Sequence, residues 1–225
     1  MTTSSRGTGL GASMAGGNPD AARGREEDDF YPTPVDVTLA LTELVHSKIY
    51  GRVVWEPCAG DGAMARILAA RGASVLASDL NPRQPDVTKP FFEGKINKLD
   101  FFQAKKLPDP VRAVITNPPF NLAVPMIEHV FGMPNVNQLD IFALVLKSTF
   151  WHAASRRELF LKHRPAIIAP LLWRPDFLDL GRPTMEVMWC VWCPRDSVTP
   201  GTQRITQYWP LARPGARAQT EAKEF

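Results

Sequence analysis

The sequence has few cysteines, no long hydrophobic run and no strong excess of charge of either sign. Its three cysteines, Cys58, Cys190 and Cys193, are too few for a disulfide framework, which favours a reducing compartment, and we expect a cytoplasmic protein. Cys190 and Cys193 have the spacing of half a zinc site, but no second Cys or His pair matches it, so we expect no metal and assign these two cysteines no role. No segment approaches the roughly 18–20 apolar residues that span a bilayer, and the amino terminus lacks the apolar stretch of a secretory signal, so we expect no membrane association.

The composition is that of an ordinary globular chain, with 44% apolar and 22% charged residues over 225 positions. This length predicts a single domain with tails. Residues 1–29 are rich in Gly, Ser and Ala without apolar periodicity, so we expect a disordered leader, and residues 210–225 have the same character. The folded domain is predicted over residues 30–209. The mild net charge of +3 allows a negatively charged partner without requiring one.

Strand-like and helix-like segments alternate along this domain. Thr33-Pro34 followed by Asp36 is typical of a helix start, with Thr33 as the N-cap. Alternation at this pitch predicts an α/β fold with a doubly wound, mostly parallel sheet, whose loops at one edge carry the chemistry. Seven strands are expected, near Val53–Trp55, Ser74–Ser78, Ile96–Leu99, Ala113–Thr116, Ile141–Leu146, Ala166–Leu172 and Glu186–Trp192.

A glycine-rich turn follows the first strand. Gly60 and Gly62 allow a sharp bend and close approach of the backbone to a ligand, and Asp79, at the end of the second strand, is placed to hold a ribose. This pattern alone also fits a nicotinamide dinucleotide site or a purely structural turn. A phosphate-cradling Walker loop is excluded because no Gly-Lys-Ser/Thr follows.

A second motif, Asn117-Pro118-Pro119-Phe120, lies just beyond the fourth strand, at the same predicted edge. Neither proline has an N–H, so the turn is rigid and projects carbonyl oxygens outward. Asn117 adds a side-chain acceptor and Phe120 a flat face on which a base could stack. Such a group is suited to holding an amine nitrogen through two acceptors. A nicotinamide oxidoreductase would give these four residues no role.

With these motifs the chain resembles the S-adenosylmethionine-dependent DNA adenine (amino) methyltransferases, in a small form without a separate target-recognition domain. The resemblance implies a Rossmann-like methyltransferase fold and S-adenosylmethionine as the cofactor. In that family Asn-Pro-Pro-Phe is the catalytic motif, matched by Asn117, Pro118, Pro119 and Phe120. The cofactor-binding positions of the family are matched by Tyr31, Thr33, Pro34, Glu56, Pro57, Cys58, Ala59, Gly60, Gly62, Asp79, Leu80, Asp100 and Phe101.

The resemblance also implies a mechanism. Asn117 and the Pro118 carbonyl would accept the amine hydrogens of a flipped-out adenine, and methyl transfer would be a direct displacement with no covalent intermediate. Pro57-Cys58 could be mistaken for the Pro-Cys nucleophile of cytosine-5 methyltransferases. It follows the first strand and not the fourth, so Cys58 is interpreted as a residue of the cofactor loop.

DNA is the expected substrate, and recognition must come from loops because only about 20 residues separate the catalytic motif from the fifth strand. If the sixth strand is parallel, basic and aromatic residues meet at the catalytic edge, and we expect nucleic-acid contacts from Trp151, Arg156, Trp173, Arg174 and Arg182. These aromatics could equally be core residues and the arginines a solvated face. A partner could supply sequence specificity, and a phage or mobile-element origin is plausible for so small an enzyme. Two alternatives stay open: methylation of an RNA guanine or a protein glutamine by the same fold, and a non-catalytic nucleic-acid-binding module.

Overall fold

The computed structural model describes residues 31–83, 92–181, 183, 185–198 and 205–221. The predicted leader, residues 1–29, and the predicted nucleic-acid contact Arg182 lie outside this part of the chain. The described residues form an α/β fold around one sheet, and none of their helices is long and apolar enough to cross a membrane.

The sheet has eight strands in the order β3-β2-β1-β4-β5-β7-β6-β8. β7 runs antiparallel to both of its neighbours, and the other pairings are parallel. The doubly wound, mostly parallel prediction is therefore confirmed, including the parallel direction of β6. The strands span Val53–Glu56 (β1), Ser74–Asp79 (β2), Ile96–Lys98 (β3), Val111–Thr116 (β4), Ile141–Lys147 (β5), Ile167–Pro170 (β6), Val187–Trp192 (β7) and Gln207–Tyr208 (β8).

The predicted count of seven strands is wrong, because the sequence pattern does not indicate β8. This strand is two residues long and both of its side chains are exposed, so it carries no apolar alternation. It pairs with the edge of β6 through Ile167 and Ile168.

Helices cover both faces of the sheet and span Val35–Ile49 (α1), Ala63–Ala70 (α2), Ala123–Gly132 (α3), Arg157–Lys162 (α4) and Ala216–Glu221 (α5). β5 shows why two layers form, since its successive side chains point to opposite faces. Ala143 and Val145 join the core shared with α1 and α2, whereas Phe142 and Leu144 join the core shared with α3.

The prediction of a disordered tail over residues 210–225 is wrong for residues 210–221. Leu211 is buried and forms an isolated parallel bridge with Leu171. Two residues further on, Arg213 Nε donates to the Asp36 carboxylate at 2.8 Å. The segment is polar and rich in proline, but it is held by an ion pair and by pairing to the sheet, which depend on residues far away in sequence.

Candidate active site

The loops that follow β1, β2, β4 and β5 meet at one edge of the sheet, because these strands are parallel and adjacent. Ligands of doubly wound folds bind outside the carboxyl ends of the strands, where the strand order reverses. Here the reversal lies between β1 and β4. The glycine turn follows β1 and the Asn-Pro-Pro-Phe motif follows β4, so both predicted motifs lie at this point.

The glycine turn connects β1 to α2 in a conformation that needs glycine. Gly60 and Gly62 have φ values of 57° and 86°, in the left-handed region that side chains disfavour. A Cβ on Gly62 would lie 2.7 Å from Cβ of Phe92, because the Phe92 side chain packs closely against the backbone of the turn. Ala59 N–H donates to the Ser78 carbonyl at 2.9 Å, which fixes the turn against β2.

Asp79, at the end of β2, braces the same turn. One carboxylate oxygen accepts from Gly60 N–H and the other from Asn81 N–H, each at 2.8 Å. Its predicted role toward a ribose would therefore be added to a structural one. The adjacent Leu80 is 56% exposed, which leaves an apolar side chain at the edge beside the turn.

Glu56, the last residue of β1, is a buried carboxylate only 2% exposed. Its Oε2 has no hydrogen-bond partner among the described residues. Burial, with smaller contributions from the negative charges of Asp61 and Asp79, raises the pKa of Glu56 well above its usual range. A buried acid with an unsatisfied oxygen next to a glycine turn is suited to receive a cationic group of a ligand.

The neighbouring Cys58 is not prepared for nucleophilic chemistry. Burial raises the pKa of its thiol to about 12, so the thiolate is scarce at neutral pH. Pro57 is buried between Glu56 and Cys58. These observations agree with the interpretation of Cys58 as a loop residue.

Asp100 and Phe101 follow β3 and have local structural partners. Asp100 Oδ1 accepts from Phe102 N–H at 3.0 Å and caps the 3₁₀ helix Phe101–Gln103. The Phe101 ring is buried, 5.1 Å from the Trp55 ring and 5.2 Å from that of His129. Phe101 is thus a core residue beneath the edge, and its predicted contact with a cofactor stays a prediction.

The Asn-Pro-Pro-Phe motif meets the Tyr31–Pro34 segment. Asn117 Nδ2 donates to Thr33 Oγ1 at 3.2 Å, across 84 positions of sequence. Thr33 does not cap α1 as its position predicts: Pro34 occupies the N-cap position and no side chain caps the helix. The Thr33 hydroxyl instead positions the Asn117 amide.

Acceptor groups of the motif remain for a ligand. The bond to Thr33 uses the amide nitrogen of Asn117, which leaves Oδ1 as an acceptor. The Pro118 carbonyl accepts no backbone hydrogen bond from the described residues, whereas that of Pro119 accepts from Leu122 N–H at 2.9 Å. Phe120 is half-buried and begins the 3₁₀ helix Phe120–Leu122.

Lys147 is a residue of this site that sequence reasoning missed. It ends β5, is exposed, and holds its Nζ 4.7 Å from the centroid of the Phe120 ring. The signal was a single charge that closes the apolar run Ile141–Leu146 on a parallel strand. The last residue of a parallel strand lies at the carboxyl edge of the sheet.

The predicted nucleic-acid contacts after β5 have partners within the chain. Trp151 Nε1 donates to Cys190 Sγ at 3.3 Å. Arg156 donates to the Phe150 carbonyl, and its guanidinium carbon lies 4.3 Å from the centroid of the Phe150 ring. These two side chains therefore stabilise the loop, and a contact with nucleic acid would be an additional role.

The contacts predicted after β6 differ from each other. Trp173 packs against the core on the α1 side, and its buried Nε1 has no hydrogen-bond partner among the described residues. Arg174 is exposed and forms an ion pair with Glu186 at 2.5 Å. No group of three or more potential metal ligands occurs in the described part of the chain.

No protein-family model and no curated protein matches the sequence. Solved structures do match. A protein from Pyrococcus horikoshii described as a candidate RNA methyltransferase has a TM-score of 0.58 at 19% identity, over 74% of this chain and 87% of that one. A type I restriction-modification methyltransferase subunit from Streptococcus thermophilus has a TM-score of 0.57 at 10% identity, over 87% of this chain and 54% of that one.

A dimethyladenosine transferase from Plasmodium falciparum has a TM-score of 0.54 at 12% identity, over 75% of this chain and 64% of that one. The chain thus spans about half of the Streptococcus subunit and just under two thirds of the Plasmodium enzyme. At such identities the likeness concerns the fold. The chain has the Rossmann-like fold of methyltransferases.

Proposed function

We propose that this protein transfers a methyl group from S-adenosylmethionine to the exocyclic amine of adenine in DNA. The observation that carries the proposal is the hydrogen bond from Asn117 to Thr33. It joins the two motifs that the family resemblance assigns to catalysis and to cofactor binding. The Asn-Pro-Pro-Phe motif follows β4 and the glycine turn follows β1, the two strands between which the strand order reverses.

The residues present fit the cofactor. Its ammonium and sulfonium groups are cationic, and the buried Glu56 offers a carboxylate oxygen with no partner among the described residues. The positive φ values of Gly60 and Gly62 turn the backbone sharply at the edge where the ligand would lie. Asp79 braces the glycine turn through Gly60 N–H, and the exposed Leu80 follows it at the same edge. When bound, S-adenosylmethionine would supply a methyl group already activated by the sulfonium.

The chain itself would activate the acceptor. Asn117 Oδ1 and the Pro118 carbonyl are two acceptors on a rigid turn, suited to the two hydrogens of an amine. Holding those hydrogens draws the nitrogen lone pair out of conjugation with the ring, so that the nitrogen becomes nucleophilic. Flipping the base costs a few kcal/mol, and stacking on Phe120 returns about 1–3 kcal/mol. Cys58, a thiol with a raised pKa, is not needed in a direct displacement.

Sequence specificity would come from loops or from a partner. Between the catalytic motif and β5 the chain forms α3 and two short 3₁₀ helices, with no inserted recognition domain there. One of the matching structures is itself a subunit of a restriction-modification system. We therefore include a separate specificity protein in the proposal.

Methyl transfer from labelled S-adenosylmethionine tests the proposal, with unmethylated DNA, RNA and a protein extract as parallel acceptors. We expect label in DNA as methyladenine, reduced on the order of 100-fold or more in Asn117→Ala, because one transition-state hydrogen bond is lost. Asn137→Ala, an exposed asparagine of the 3₁₀ helix Val136–Gln138, is the matched control and should retain activity. Label only in RNA or protein, or none above the Asn117→Ala level, would contradict the DNA substrate.

A further inference from the structure

Lys147 differs from Arg156 and Arg174, the two described arginines that the sequence predicts to contact nucleic acid. Its ammonium lies over the Phe120 ring, and among the described residues it forms no ion pair. Arg174 is paired with Glu186, and Arg156 is held by the Phe150 carbonyl and ring. Lys147 therefore combines a charge with no anionic partner in the described chain and a position directly on the aromatic surface of the site.

A base and the Lys147 ammonium cannot occupy the same face of Phe120. The contact of an exposed ammonium with a ring is weak, and stacking of a base on an aromatic side chain is stronger, so a base can displace it. Once displaced, the ammonium needs a new partner. A nucleotide whose base lies on Phe120 brings its backbone phosphates to the rim of the same pocket, and the flexible lysine stem with its three donors can reach for one.

We propose that Lys147 is the binding site for a backbone phosphate of the target nucleotide, and that it covers Phe120 only until the base arrives. The inference rests on the proposed function, since that function places the base on Phe120. Lys147 would then couple binding of the phosphate to exposure of the Phe120 ring. The positive charge on an exposed side chain also attracts the nucleic acid before the base is flipped.

Salt dependence of binding provides the first test. The affinity for a labelled single-stranded oligonucleotide of mixed sequence is measured by fluorescence anisotropy over a series of KCl concentrations. Loss of one phosphate contact reduces the magnitude of the negative slope of log affinity against log salt by about 0.7 for single strands. We expect this change in Lys147→Met and a wild-type slope in Lys147→Arg. Lys162→Met, an exposed lysine that ends α4, is the matched control. An unchanged slope in Lys147→Met, or the same fall in the control, would overturn the inference.

Lysine side-chain NMR tests the exchange itself. In the free protein the Cε–H signals of Lys147 should be shifted upfield by the ring current of Phe120, and this shift should disappear in Phe120→Leu. Saturation with the oligonucleotide should abolish the shift in the wild type as well. A shift that persists in the complex would show that the ammonium stays on the ring, and would overturn the inference.

The two proposals fail separately. The wild type could bind S-adenosylmethionine and methylate DNA while the slope of log affinity against log salt is the same in Lys147→Met. In that case the phosphate site is wrong and the proposed function stands. If the slope depends on Lys147 but no methyl group is transferred to DNA, the proposed function fails and the phosphate site is supported. DNA and RNA oligonucleotides of the same sequence, run in parallel, show which backbone Lys147 prefers.

Discussion

Thr33 and Asn117 form a side-chain hydrogen bond. Its energy can be measured by comparison with a control substitution in the same protein. Thr33→Val removes the hydroxyl that accepts a hydrogen bond from the Asn117 amide at 3.2 Å. A hydrogen bond of about 0.5–1.5 kcal/mol is lost. We expect kcat to fall about 2- to 10-fold, since each 1.4 kcal/mol or so is tenfold in rate.

Thr38→Val is the control for this change, because the buried Thr38 hydroxyl has no hydrogen-bond partner among the described residues. Steady-state kinetics and urea unfolding of both variants make the comparison. Equal losses of kcat in the two variants would mean that Thr33 does not position Asn117.

The raised pKa of Glu56 predicts how the free energy of unfolding depends on pH. Its pKa is raised in the folded protein, chiefly by burial, so the folded state retains a proton that the unfolded state releases. The stability contributed by this residue is therefore present below the ordinary pKa of Glu, about 4.3, and is lost as pH rises through the folded value. Without a ligand, Glu56→Gln should flatten this decline in urea unfolding measured across the pH range.

The same variant should weaken S-adenosylmethionine binding in calorimetry, since it removes the carboxylate that would face a cationic group of the cofactor in the proposed complex. A variant with the wild-type pH profile and undiminished cofactor affinity would contradict the role given to Glu56. The two readouts are independent, because the first needs no cofactor.

The sequence was most informative for residues whose role is local. The Asn-Pro-Pro-Phe turn and the two glycines are recognisable because the turn chemistry itself restricts the residue types, whereas Glu56 was indicated only by the family resemblance. The partners of charged side chains were not predictable. Arg174 pairs with a residue 12 positions away and Arg213 with one 177 positions away, and such pairings depend on packing that no local pattern encodes.

At the scale of elements, Gly62 in the turn between β1 and α2 can be compared with Gly51, which precedes β1. The comparison distinguishes two costs of replacing a glycine, backbone strain and steric overlap. Gly51 and Gly62 both have positive φ, but a Cβ on Gly51 meets nothing within 4 Å, whereas one on Gly62 would lie 2.7 Å from Phe92. Gly51→Ala should lose about 1–2 kcal/mol of unfolding free energy, from backbone conformation alone.

Gly62→Ala should lose more stability, and it alone should weaken cofactor binding, because Gly51 precedes β1 at the opposite edge. Urea unfolding and calorimetry measure the two effects. Equal stability losses, or a weakened cofactor affinity in Gly51→Ala, would contradict this account of the turn.

An ion pair attaches the C-terminal segment to α1. Asp36 has 5% of its side chain exposed, and Arg213 has 61%. Water can reach the guanidinium, so the full value of a buried pair does not apply, and Arg213→Ala should destabilise the protein by about 1 kcal/mol.

Arg157→Ala breaks the largely solvent-exposed pair with Glu158 and should change stability by less than about 0.5 kcal/mol. Thermal or urea unfolding of both variants gives the difference. No loss in Arg213→Ala would show that the segment is held by its strand pairing rather than by this contact.

The helices α1 to α3 and the central strands were predictable because apolar periodicity marks them, as in β5, whose residues Ile141–Leu146 are all buried. β8 and residues 210–221 were not, because their side chains are mostly exposed and their order comes from pairing with the edge of β6 and with α1. Edge elements of this kind carry little apolar signal of their own.

At the scale of the whole molecule, the sheet order brings separate segments of sequence to one edge. The segment before α1, the turn after β1, the motif after β4 and the end of β5 meet there only because β4 crosses back beside β1. The alternation of strands and helices was sufficient to predict this class of fold, and the matching methyltransferase structures share it. Which loops would face a nucleic acid depends on side-chain pairings, and the sequence did not provide them.

The most direct test of the central claim is the base composition of DNA from cells that express the protein and lack adenine methylation of their own. Nucleoside mass spectrometry should find N6-methyladenine in cells that express the wild type, and none above background with Asn117→Ala expressed to the same level. DNA without methyladenine in both cases, from cells that contain folded protein able to bind S-adenosylmethionine, would contradict the assignment of DNA adenine as the substrate.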